Sequence, residues 1–202
     1  MRKFTRGDAP DFLKNKWKAW GERYKNNRET NPGFTFQWPT HEGQKINTLL
    51  EPFFKKQTDG HCSFCDNFPI RTNEDSIDHF KPKSIPAYYE LVCEWENLYY
   101  SCHNCQQTKL EQYDDLLLRP DDLDFSFDVY FIYSYHSHKI DPNPILSDEE
   151  KLRAKTTIDI FGLNDEGHIA ARRISLERYE GKKRLGEDIE VNDFAYRFTI
   201  IE

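Results

Sequence analysis

Two pairs of cysteines carry the clearest chemistry in the chain. Cys62-Ser-Phe-Cys65 and Cys102-His-Asn-Cys105 each set two thiols two residues apart, with 36 residues between the pairs. Each short spacing lets two thiolates reach one ion from a tight knuckle, and two knuckles supply the four soft ligands that structural Zn²⁺ takes in a tetrahedron. Four cysteines leave no open position for water, so such an ion holds the chain together and performs no hydrolysis. The fifth cysteine, Cys93, alternates with Leu91 and Trp95 and is expected in the core. His61 adjoins the first knuckle, where four thiols already complete the site.

Between and after the pairs lie Ile77-Asp78-His79-Phe80-Lys81-Pro82-Lys83, then Trp95-Glu96-Asn97-Leu98, then Gln106-Gln107-Thr108-Lys109. In this order, over about fifty residues, the chain resembles the HNH endonucleases, whose ββα-metal core shows Asp-His, then Asn-Leu, then a zinc knuckle running into a helix. The resemblance implies metal-dependent hydrolysis of a phosphodiester bond, which needs a base to take a proton from water and a cation to neutralise phosphate charge. A neutral imidazole suits the first task, and by resemblance His79 is the general base. Asp78 would be a hard oxygen ligand for catalytic Mg²⁺ or Mn²⁺. Asn97 matches the middle Asn, which orients the loop between the two strands.

The third position departs from the pattern. His or Asn usually follows the last zinc cysteine, and here that residue is Gln106, whose longer side chain loses more rotamer freedom on binding. His103, one helical turn earlier, is the substitute, and the choice between Gln106 and His103 as the last ligand stays open. Lys109 either contacts a phosphate or is a solvated helix-end lysine.

Shorter features extend the likeness to the PtuB-type HNH nucleases of Septu and retron-linked antiphage systems. They are Met1-Arg2-Lys3-Phe4, the Asp78 to Lys83 form of the motif, Thr157-Ile158, Leu163-Asn164 and Tyr196-Arg197-Phe198. This likeness implies a bacterial defence effector held by an ATPase partner of the PtuA type and directed at DNA. A non-catalytic zinc-stapled binding module and a stand-alone restriction-type nuclease are the alternatives. DNA or RNA as target, sequence preference, trigger and stoichiometry stay open.

The elements that must position these residues follow from periodicity. The order is α+β and mainly helical: an N-terminal helical segment over 1–58, the zinc-stapled core over 59–112, and a hairpin with helices over 113–202. Asp8-Ala9-Pro10 reads as a helix start, followed by a stripe of Leu13, Trp17, Trp20 and Tyr24. Residues 26–40 read as a loop, 46–57 as a short helix, and the aromatic run 125–135 as a strand or hairpin. Ser147 to Glu150 is a capping box, Gly162 closes that helix, and a last helix covers roughly residues 169–184.

A formal charge of −7 is awkward for a chain expected to meet phosphates, so its distribution matters more than its sum. Residues 1–28 hold nine Lys/Arg against three Asp/Glu. The stretch Arg172, Arg173, Arg178, Lys182, Lys183, Arg184 is also basic, and 111–128 carry seven acids and one Arg. Either basic stretch is a solvated face or a low-specificity contact to the DNA backbone, since neither holds a base-reading signature. An apolar run long enough to span a membrane is lacking, and a soluble cytoplasmic protein is expected.

Overall fold

The computed structural model describes residues 1–70 and 76–200. Its centre is an antiparallel hairpin of β3 (Ile77–His79) and β4 (Leu98–Tyr100), followed at once by helix α4 (His103–Lys109). Register pairs Ile77 with Tyr100, Asp78 with Tyr99 and His79 with Leu98. Pairing continues past both ends, because Ser101 N donates to Ser76 O at 2.8 Å and Phe80 N to Asn97 O at 2.8 Å. Ile77 and all three β4 residues are buried, so the hairpin is driven inward from both strands.

Among the described residues, two short hairpins and six further α-helices pack around it. Among the described residues, the hairpins are β1 (Thr40–His41) with β2 (Gln44–Lys45), and β5 (Phe131–Tyr133) with β6 (Ile140–Pro142). The helices are α1 (Asp11–Lys14), α2 (Trp17–Thr30), α3 (Ile46–Thr58), α5 (Phe127–Tyr130), α6 (Asp148–Ile160) and α7 (Glu166–Leu185). The architecture is therefore α+β, rich in helix and poor in strand. One buried apolar cluster draws on all three stretches, from Leu13 and Phe54 through Phe64 and Tyr99 to Phe131 and Phe161.

Helix α3 shows how sequence produces this packing. Ile46, Leu50, Phe54 and Thr58 recur every fourth position and are all buried, which places one stripe against the hairpin. Each of the three apolar members contributes about 1.5–3 kcal/mol by leaving water. Asp59 and Gly60 then turn the chain in left-handed conformation, delivering it into the first cysteine knuckle.

The N-terminal stripe is divided rather than continuous. Pro10 caps α1, which ends after one turn, and α2 restarts at Trp17 and runs to Thr30, beyond the expected loop boundary. Helix α2 lies against the loop that joins β3 to β4, and Gly21 is what permits it. A Cβ there would sit 2.0 Å from the Glu90 carbonyl oxygen. The aromatic run is also partly helical, with α5 preceding β5.

The C-terminal expectations fare better. Ser147 and Glu150 form the reciprocal capping box, and Gly162 adopts φ +59 after α6. Arg172, however, does not belong to a solvated basic face. It is wholly buried, donating to His138 O, Leu163 O and Asn164 Oδ1, and so ties α7 to the segments before it.

Candidate functional site

The two knuckles converge. The Sγ atoms of Cys62, Cys65, Cys102 and Cys105 all lie within 4.8 Å of one another, and all four residues are buried. Cys62 Sγ is 3.9 Å from Cys105 Sγ, and Cys65 Sγ is 3.5 Å from Cys102 Sγ. A tetrahedron with Zn–S bonds of about 2.3 Å has sulfur–sulfur edges of about 3.8 Å, so the four-cysteine cluster fits structural zinc. The thiols are electrostatically divided: burial pushes Cys65 and Cys105 up, while hydrogen bonds from the other three cysteines pull Cys102 down. A divalent cation among them would favour the thiolate at every position.

Distant segments wrap this centre. Cys102 N donates to Cys62 Sγ at 3.3 Å, and His168 Nε2 lies 3.9 Å from Cys105 Sγ while its Nδ1 faces Gly162 O at 3.0 Å. Asp66, just after the first knuckle, is held by Arg197 through both backbone and guanidinium, the shortest contact being Nη2 to Oδ1 at 2.6 Å. Tyr196 N also donates to Asp66 O at 2.7 Å. The Tyr196-Arg197-Phe198 motif thus clamps the knuckle from 131 residues away. His61 is buried outside the thiol cluster, between the carbonyls of Asp59 and Phe194. Cys93 is buried in the core, its thiol pushed up to about 12 by burial.

His79 ends β3 with its ring turned into an aromatic recess. The indole of Trp38 stacks on the imidazole with centroids 5.4 Å apart, and Phe36 meets it edge-on at 5.3 Å. Nε2 lies 2.9 Å from the carbonyl oxygen of Val92, which can only accept, so this nitrogen carries the proton. The neutral ring therefore keeps its lone pair on Nδ1, which has no hydrogen-bond partner among the described residues. Desolvation, reinforced by the charges of Lys83 and Lys109, pushes the imidazole down to about 3, against the opposing pull of Val92. His79 is neutral at physiological pH.

Asp78, one residue earlier at the end of β3, extends toward α4. Its carboxylate is 3.8 Å from Lys109 Nζ. Burial raises the carboxyl above the usual range, and Lys109 opposes that shift. Lys109 is not a solvated helix-end lysine: the side chain is wholly enclosed, with Nζ donating to His79 O at 2.8 Å and to Leu110 O at 3.4 Å. An ammonium shut inside against the strand's own backbone braces Asp78 and His79 and is not solvated. Gln106 is half-buried on α4, its Nε2 donating to Ser101 O at 3.1 Å, whereas His103 is exposed at the start of that helix.

Asn97 bridges the loop between the strands. Its Oδ1 accepts from Lys81 N at 2.7 Å, and its Nδ2 donates to Lys81 O at 3.2 Å and Leu91 O at 3.1 Å. Tyr24 of α2 adds a fourth tie, its hydroxyl donating to Lys83 O at 2.9 Å. The loop that presents Val92 to His79 is thus fixed from within by Asn97 and from outside by α2. Trp38, Phe36, Val92 and Tyr24 were not identifiable from spacing, because the contacts that recruit them join segments far apart in the chain.

No protein-family profile matches the chain. The Septu protein PtuB of Bacillus mycoides (strain KBAB4) is 28% identical over an 89-residue alignment that takes in 39% of this chain. The alignment spans 29% of that relative's own length, so the similarity is weak and partial. Among the described residues, no helix is long and apolar enough to cross a membrane.

Proposed function

We propose that the chain is a metal-dependent HNH endonuclease that hydrolyses DNA, acting as the nuclease effector of an antiphage defence complex with an ATPase partner of the PtuA type. The observation that carries the chemistry is the fixed tautomer of His79: Nε2 is committed to Val92 O, and Nδ1 retains a lone pair. The similarity to Septu PtuB supports the defence setting and the partner. In this reading β3, β4 and α4 form the ββα-metal core, stapled by zinc on the four cysteines.

His79 Nδ1 takes a proton from the attacking water, and the Val92 carbonyl stabilises the imidazolium that results through Nε2–H. Asp78, with Gln106 or His103, would hold Mg²⁺ or Mn²⁺, which supplies charge neutralisation at the phosphate and leaving oxygen. One carboxylate and one neutral donor suit a hard cation that keeps several of its waters. Lys109 holds the Asp78 carboxylate from behind, and Asn97 holds the loop that carries Val92. Neither touches substrate, so both are positioning residues.

A non-catalytic, zinc-stapled interaction module is the competing reading, favoured by the hydrogen bond that already occupies the Gln106 amide nitrogen. Supercoiled plasmid separates the two. Purified protein, alone and with its ATPase partner, should nick DNA in Mg²⁺ or Mn²⁺ and not in EDTA. Intact plasmid under all of these conditions would overturn the nuclease reading.

A further inference from the structure

With Lys109 enclosed, the cations that face substrate must come from elsewhere. We infer that Lys81 and Lys83, on the loop immediately after His79, form the phosphate-binding pair that seats a nucleic-acid backbone against the catalytic face. This inference rests on the nuclease reading and adds to it the residues that grip the substrate.

Four observations converge on these two lysines. Their backbones are immobilised one by one: Asn97 grips both N–H and C=O of Lys81, and the Tyr24 hydroxyl grips the Lys83 carbonyl. Pro82 between them is buried, and its ring fixes the backbone there. Both lysines are half-exposed, and neither forms an ion pair among the described residues. The loop that carries them leaves β3 directly after His79, the proposed base.

Lys81 has a further support. Its Nζ lies 5.3 Å from the ring centre of Tyr88 and 5.7 Å from that of Tyr113. The two tyrosines meet edge-on at 5.3 Å, so they form a fixed cradle for the ammonium. A cation held by aromatic faces stays oriented without a carboxylate to neutralise it. Glu94, whose charge acts on Lys81, forms no ion pair with it, and the Glu111 carboxylate accepts from the Ser84 hydroxyl. An ordered pair of positive charges outside any ion pair among the described residues, beside a neutral base, matches the phosphodiester backbone, a repeating anion.

The lysines then do by fixed position what the acidic chain as a whole cannot do by net charge. A Lys81→Gln/Lys83→Gln variant should lose phosphate contacts and keep its fold, because the tethers act on backbone atoms. Binding of a short fluorescein-labelled duplex to His79→Ala protein in Ca²⁺, followed across a KCl series, reads the contact number directly. The slope of log K against log salt should fall by about 1.8 for the pair, at about 0.9 per phosphate contact. Lys151→Gln/Lys155→Gln on α6, with the same charge change elsewhere, should leave the slope as it was.

In otherwise unaltered protein, the Lys81/Lys83 variant should raise KM about tenfold with kcat little changed, as expected when binding common to ground and transition states is removed. An unchanged slope for Lys81/Lys83, or an equal fall for both pairs, would overturn the assignment. Unaltered protein that neither binds nor cuts DNA would overturn the nuclease reading itself, which is a different result from a cutting enzyme with an unchanged slope.

Discussion

The indole of Trp38 lies nearly parallel to the imidazole of His79, with ring planes 14° apart and centroids separated by 5.4 Å. This contact, with Phe36 at the edge, removes the ring from water and lets it stay neutral far below the ordinary histidine range. Neutrality in the folded state has a thermodynamic consequence.

The unfolded chain binds a proton at His79 below pH 6.5, whereas the folded chain binds it only near pH 3. The depressed folded value means that this stability is fully present above 6.5 and is lost as pH falls from there toward 3. In His79→Asn the contribution is absent while all other titrations, including those of the zinc thiols, are shared. The stability difference between parent and variant should therefore shrink by about 2 kcal/mol between pH 7.5 and pH 5. Urea melts at several pH values measure it, and a difference that stays level across this range would refute the buried neutral imidazole.

Asn97 offers a second test. Replacing it with Ala strips partners from Lys81 N, Lys81 O and Leu91 O, in a loop that α2 covers. The expected cost is about 3 kcal/mol, since each abandoned backbone group carries a desolvation penalty of about 1 kcal/mol or more. Asn97→Asp keeps the acceptor for Lys81 N but cannot donate, and should fall between parent and Ala. Equal stability of all three proteins by denaturant midpoint would show that the side chain does not hold the loop.

The thiols provide a third. All five cysteines are buried, and four converge on one point. Metal analysis should find one zinc per chain, and a thiol reagent such as DTNB should react with none of the cysteines in the native protein. Chelation should expose the four knuckle thiols together with cooperative loss of structure, because metal binding and folding are coupled in such sites. Rapid labelling of native protein, or zinc loss with the fold intact, would contradict a structural centre.

How much of this was legible beforehand follows the range of the interactions. The cysteine pairs, the Ser147–Glu150 capping box and the short helix that became α3 were legible, because each is a local pattern whose physics acts within a few residues. The continuous N-terminal stripe misled, since apolar spacing alone does not reveal that the chain breaks between Lys14 and Trp17. Arg172 and Lys109 misled for a shared reason. Each is a cation in a sequence context that looks solvated, yet backbone carbonyls from distant segments take it inside. Arg197 belongs with them, its role visible only once Asp66 is brought beside it. At the candidate site, Asp78, His79 and Asn97 were named from their order, whereas Trp38, Val92 and Tyr24 enter through tertiary contact.

The central claim is that His79 is the base of a metal-dependent nuclease, and His79→Ala tests it most directly. Cleavage of supercoiled plasmid in Mg²⁺ or Mn²⁺ is compared for parent and variant, each checked for one zinc per chain and native circular dichroism. Loss of at least about two orders of magnitude in rate, with zinc and fold retained, is the result predicted for removal of a general base. A correctly folded, zinc-loaded His79→Ala protein that cuts at the parental rate would contradict it.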